Sequence, residues 1–305
     1  MSKKLPPIAD LSDIDLRLLR VFVAVIRHRG FAAAQDELRI SASTISIHIR
    51  NLENRLGVRL CERGRKGFHI SEQGQVIYDA ILRLFTSIEN FRGIVGSTRG
   101  QLVGDLHFGV VDAVATNSSI HMDRVISSFS NAAPEVTLYI DISSPQLLHQ
   151  GLLEERYHVV LTPMLRKHVS VTYNYMFSER QLLYCGKDNT LFHLQDDRIL
   201  GEEIVNSQYA GRSYLLESKP PSAIDFPQRT AVAHMESTAL LILSGKYIGY
   251  LPDHFAQRWV DNGLMRAICA ETHTFEDLFY LGYRVQETNR AARRFIECAE
   301  LINSN

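Results

Sequence analysis

Cysteine and tryptophan are scarce in this sequence of 305 residues, which has four of the first and one of the second. Cys61, Cys185, Cys269 and Cys298 stand far apart with no Cys-x-x-Cys pair, which speaks against a disulfide framework or a cysteine metal site. Nine prolines and 18 glycines are too few for a collagenous or low-complexity chain. No apolar run reaches the roughly 20 residues that a membrane span requires, so no membrane partner is expected. Met1 to Asp10 carries Lys3, Lys4, two prolines and an acid but no apolar core of a signal peptide, so a cytoplasmic, nucleoid-associated location is expected. Gly-x-Ser-x-Gly, His-Glu-x-x-His, a Walker loop and a Gly-x-Gly-x-x-Gly after a strand are all missing. No catalytic residue, cofactor or metal is therefore expected.

Net charge is also nearly absent, at −1, but its distribution is uneven. Residues 1–99 hold 16 Lys/Arg against 10 Asp/Glu, or +6; residues 100–305 hold 17 against 24, or −7. A basic front on an acidic body is the asymmetry of a nucleic-acid-binding head joined to a non-binding partner domain.

The front reads as a helix-turn-helix. Leu16, Leu19, Phe22, Val23 and Ile26 recur at helical spacing, and Gly30 follows the basic end Arg27-His28-Arg29 as a helix C-terminus requires. Phe31 to Leu38 fits a second short helix, with three alanines that allow close packing. Ser41-Ala42-Ser43-Thr44 then offers capping hydroxyls for a third, whose stripe Ile45, Ile49, Leu52, Leu56 ends at Gly57. Val58 to Ile70, with two glycines and basic residues between apolar ends, reads as a hairpin, the wing. Ser71 caps a long helix from about Glu72 to Gly93, whose wide apolar face suits packing on a partner's helix.

After a glycine-rich break at 93–104, strands alternate with helices. Strands are expected at 105–110, 136–142, 158–161, 181–185, 232–235 and 248–251, and helices near 118–131, 145–155 and 237–244. This alternation implies parallel sheets with crossover helices, whose ligands sit at the carboxyl ends of strands.

Leu16-Arg17-Leu18-Leu19-Arg20-Val21-Phe22, Gly30-Phe31-Ala32-Ala33-Ala34, Ile40-Ser41, Leu52-Glu53, Leu56-Gly57-Val58 and Ser71-Glu72-Gln73-Gly74 together resemble the LysR-type transcriptional regulators. A weaker pattern runs on to Gly245-Lys246-Tyr247-Ile248-Gly249-Tyr250-Leu251-Pro252. The resemblance implies an α/β chain with an N-terminal winged helix-turn-helix at 1–71. A linker and dimerisation helix at 72–99 follows, then an effector domain at 100–305. That domain would have two Rossmann-like subdomains resembling periplasmic binding proteins, I at about 100–165 with 270–305 and II at about 166–269. It also implies a homodimer or homotetramer, regulated by a small molecule between the subdomains and able to act on RNA polymerase. Two residues depart from the pattern: Cys61 stands where phenylalanine is usual, and His158 where aspartate is usual.

On a helical wheel, the face opposite Ile45 and Ile49 carries Ser43, Ile47 and Arg50. The N-terminal part of a recognition helix enters the major groove of double-stranded promoter DNA. Ser43, Thr44, Ile47 and Arg50 are thus the candidate base-facing residues, with Ser41 and Ser46 at the flank. An exposed Ile47 would pack on a thymine methyl and favour A/T at that step; burial against the neighbouring helix is the alternative. Arg63, Arg65 and Lys66 in the wing are candidates for phosphate contact.

Strand ends lead to Asp112, to Ser143, Ser144 and Gln146, to Thr162, and to His234, Met235 and Glu236. By resemblance these line the effector cleft. A carboxylate at Asp112 would repel an anion and accept a hydrogen bond from an amine- or nucleobase-like effector, or else simply cap the next helix. The rival functions are an enzyme and a plain cytoplasmic metabolite-binding protein.

Overall fold

A computed structural model describes residues 13–64, 67–98, 102–164, 166–213, 226–227 and 229–303. Its internal contacts divide it into two units, Met1–Ile88 and Glu89–Asn305. The first contains α1 (Asp13–Arg27), α2 (Gln35–Leu38), α3 (Ala42–Leu56), β1 (Cys61–Gly64), β2 (Gly67–Ile70) and the start of α4 (Glu72–Thr98).

Helix α1 ends differently from the sequence expectation. Arg29, not Gly30, takes the left-handed conformation, at φ 53°. The Arg29 N–H then reaches Ile26 O and the Gly30 N–H reaches Val25 O, both at 3.0 Å, closing the last turn. The second helix is shorter than expected, because Phe31 to Ala34 form turns. Gln35 braces that corner: its amide nitrogen donates to Ala32 O (3.1 Å), and its amide oxygen accepts the Ala42 N–H (2.9 Å). Helix α3 stops at Gly57, whose φ of 69° is the left-handed turn that glycine adopts without strain.

Helix α4 runs straight through Gly93 to Thr98, past the expected break. One glycine costs a helix only about 1 kcal/mol, too little to end it. Its apolar face is also partly consumed at home. Ile77, Tyr78, Ile81, Leu84 and Phe85 pack on the core formed by Phe22, Ile45, Ile49, Leu52 and Leu60, while Val76 and Phe91 remain exposed.

The second unit adds one sheet in the order β4-β3-β5-β11-β6-β9-β7-β8, with β10 also paired to β6. The elements are β3 (Val103–Val110), α5 (Met122–Ala132), β4 (Glu135–Ile142), α6 (Pro145–Leu153), β5 (Val159–Pro163), β6 (Val171–Gly186) and α7 (Gly201–Val205). Then come β7 (Gln208–Arg212), β8 (Arg229–Val232), α8 (Met235–Leu243), β9 (Tyr247–Pro252), α9 (Asp253–Asp261), β10 (Met265–Ala267), β11 (Thr274–Arg284) and α10 (Arg290–Asn303).

Parallel pairs form both flanks, β4-β3-β5 and β9-β7-β8, as the strand–helix alternation predicts. The centre was not foreseen. β6 and β11 are long antiparallel strands that cross between the flanks, with a register shift at Phe279/Tyr280. Two halves result. The first buries Phe108, Phe129, Leu148, Leu161 and Phe295 between sheet and helices. The second has one core on each face of its sheet, around Leu183, Ile248 and Tyr250, and around Ile242, Leu251 and Phe255.

Candidate DNA-reading helix and effector cleft

Ser41 sits in extended conformation at the N-cap of α3, and its hydroxyl accepts the Thr44 N–H at 3.2 Å. The Ser43 and Thr44 hydroxyls each stand 2.8 Å from that of Ser41, so the helix start carries a connected cluster of three hydroxyls. Ile45, Ile49 and Leu52 are buried, at 3% exposure or less. The opposite stripe Ser43, Ile47 and Arg50 faces outward, and Ile47 is 55% exposed. Burial of Ile47 against the neighbouring helix is thereby excluded within this chain.

Ser46 is half-buried beside a cavity of about 200 Å³, which Phe31, Arg50, Glu53, Arg59 and Cys61 also line. Glu53 reaches across to the wing, where its carboxylate accepts the N–H of Leu60 (2.8 Å) and of Cys61 (3.2 Å). The sequence reading passed over Glu53, because a single acid in a helix ordinarily faces solvent. Of the wing cations, Arg65, Lys66 and the side chain of Arg63 lie outside the described residues.

In the second unit, Asp112, Ser143, Ser144, His234 and Met235 converge on one cleft between the two halves. Two helices start there. Ser144 caps α6 by accepting the Leu147 N–H, and α8 begins at Met235 with His234 as its N-cap. The strand expected over 232–235 ends at Val232, so His234 to Glu236 belong to this helix start. Both helices present their positive ends to the cleft.

Three expected residues do not line it. The Thr162 hydroxyl donates back to Pro163 O at 3.2 Å, Glu236 is exposed with Arg258 at 3.6 Å, and Gln146 is exposed on α6. Arg212, at the end of β7, lines the cleft and was missed. It donates to Asp277 (3.0 Å) and to Gln181 (2.6 Å). Its strand, Gln208–Arg212, is too short and too polar at its ends to announce itself.

Asp112 lines the cleft but does not cap the helix that follows it. Its carboxylate accepts the Met235 N–H at 2.6 Å, capping α8 in the other half, and stands 3.7 Å from the His234 imidazole. The cleft around it has room for about 20 Å³, the space of about one water.

A polar chain runs from exposed Thr116 to the buried Glu179, Gln181 and Asn117. His254 on α9 touches Thr116 and Glu179, each at 2.9 Å, and Glu179 also accepts from Gln181 (2.6 Å) and Asn117 (3.4 Å). Elsewhere His158, buried at the start of β5, accepts the His107 N–H and touches Asn289. Burial, helped by the cationic neighbours His107 and Arg284, pushes its imidazole down to about 3.

Residues 16–75 match the model of the bacterial regulatory helix-turn-helix proteins of the LysR family, and residues 99–301 match the LysR substrate-binding domain. The chain belongs to the LysR family. It is thus a DNA-binding transcriptional regulator with an effector-binding domain. This LysR regulator is 32% identical to the HTH-type transcriptional activator BauR of Pseudomonas aeruginosa, over 96% of both chains. It is 25% identical to the dual regulator OxyR of Escherichia coli, over 58% of this chain and 57% of that one. Full-length CbnR complexed with its target DNA has the same fold, with a TM-score of 0.65 at 17% identity over 95% of this chain and all of the other. Among the described residues no helix is long and apolar enough to cross a membrane.

Proposed function

We propose that this regulator reads promoter DNA with the outward stripe of α3, Ser43, Ile47 and Arg50. Ser41, Thr44 and Ser46 hold its start, and the wing cations Arg63, Arg65 and Lys66 meet phosphate. The observation that carries this reading is the exposure of Ile47 at 55% on a helix whose opposite face is fully buried. A single exposed apolar side chain is common on protein surfaces, but Ile47 stands on the outward face of the helix expected to enter the major groove, where a thymine methyl is the apolar feature it can meet. In this reading residues 1–71 bind DNA, 72–99 link and dimerise, and 100–305 sense the effector. The assembly is a homodimer or homotetramer in the cytoplasm, at the nucleoid, and RNA polymerase is the partner through which it acts. The similarity to BauR favours activation.

The effector enters between the two halves. An amine- or nucleobase-like ligand would meet Asp112 at the carboxylate oxygen that Met235 leaves unused. Titration of promoter fragments at increasing salt tests the DNA reading. Arg50→Ala is expected to reduce the slope of log affinity against log salt by about one. An unchanged slope refutes a phosphate role for Arg50, and an unchanged sequence preference in the same variant refutes a base role.

A further inference from the structure

The segment between β3 and α5 belongs to the first half but is fastened to the second. Asp112 caps α8 through the Met235 N–H (2.6 Å). Ala113 packs against the apolar cluster of Met235, Leu251 and Phe255. Thr116 meets His254 on α9 at 2.9 Å, and Asn117 donates to Glu179 on the crossing strand β6 at 3.4 Å. Six consecutive residues thus hold the two halves together at four places. They do so at a price in conformation: Ala113 sits at φ 65°, a left-handed backbone that costs a non-glycine residue about 1 kcal/mol. Strain of this kind persists only where surrounding contacts impose it.

We propose that residues 112–117 form a strap that fastens the effector cleft shut, so that ligand entry and release of the strap are one event. The inference rests on the reading that the effector enters between the halves. Asp112 occupies the helix start that faces the cleft, and the remaining space fits about one water. A ligand of metabolite size therefore requires the cleft to open, and opening stretches the Asp112–Met235 bond that spans it. Opening also pulls on Ala113 and on the turn that carries Thr116, which loosens the link to His254. The coupling is reciprocal, as any linkage between two sites must be.

Hydrogen–deuterium exchange on the full chain, without DNA or ligand, tests the strap independently of the effector reading. Thr116→Val keeps the shape and removes the hydroxyl that faces His254. It is expected to speed exchange in the peptide containing Met235 about fivefold, the factor expected for loss of a helix cap. Asp112→Ala removes the acceptor of the Met235 N–H and is expected to do the same to peptides covering 114–119. Changes confined to each variant's own contact overturn the proposal. Where Thr116→Val does not melt cooperatively, His254→Gln breaks the same link from the other side and is read in the same two peptides. If both ends respond but no ligand ever loosens the Asp112–Met235 bond, the strap stands and the effector reading fails.

Discussion

The Glu53 carboxylate on α3 holds the main-chain N–H of Leu60 at 2.8 Å and that of Cys61 at 3.2 Å. One side chain of α3 therefore fixes the main chain where the wing's first strand begins. Glu53→Ala removes the acceptor from both amides and is expected to cost about 1–3 kcal/mol of head stability. Urea unfolding followed by circular dichroism measures it, and a loss below about 0.5 kcal/mol would show that water replaces the carboxylate.

Ile47→Gln is expected to change which sequences are bound more than how tightly. Ile47 projects from a rigid, capped helix, so its replacement alters the groove-facing chemistry without disturbing the core. A glutamine can pair with adenine and no longer offers an apolar contact to the thymine methyl, a change of about 1–3 kcal/mol at one base pair. Selection of binding sites from a random pool, wild type against variant, reads this directly. Identical consensus sequences would sink the assignment.

His158 is expected to lower the stability of the fold in acid. Its imidazole ordinarily titrates at 6.5 but is held down to about 3 in the folded chain. Between those values the unfolded chain takes up a proton that the native state refuses. Stability is therefore complete above pH 6.5 and falls as pH drops toward 3, by at most about 1.4 kcal/mol per pH unit from this group. Asp105 and Glu287, raised by burial, act in the opposite direction, so the difference between chains is the informative quantity. His158→Gln is expected to flatten the decline between pH 6.5 and 4.5 in thermal melts, and parallel curves would remove His158 as its source.

Gly74→Ala is expected to destabilise the junction between wing and α4. An added Cβ would lie 2.2 Å from the Leu60 carbonyl oxygen and 2.9 Å from the Ile70 side chain. Backbone must move to admit it, at a cost of about 2 kcal/mol or more. Gly30→Ala is the comparison, since a Cβ there meets nothing within 4 Å. Melting of the two variants side by side is expected to show a loss for Gly74→Ala alone, since Gly30 makes no steric demand.

The amino-acid sequence by itself determined the head. Its signals are local: the stripe Ile45, Ile49, Leu52, the serine cap at Ser41 and the glycine stop at Gly57 all act within one or two turns. Helical periodicity therefore placed Ser43, Ile47 and Arg50 outward before any fold was seen. The strand–helix alternation likewise led to residues that converge on the cleft, among them Asp112, Ser143 and His234. What only tertiary structure decided lies further apart along the chain. The crossing strands β6 and β11 mix polar and apolar residues without regular alternation because each runs from one core to another, so neither gives a clean period. Arg212 enters the cleft because Asp277, 65 residues away, pairs with it. Asp112 read as open to a ligand, or as a cap for the helix that follows it. Its true partner, the Met235 N–H, lies 123 residues on, and a bond of that span leaves no mark on either neighbourhood.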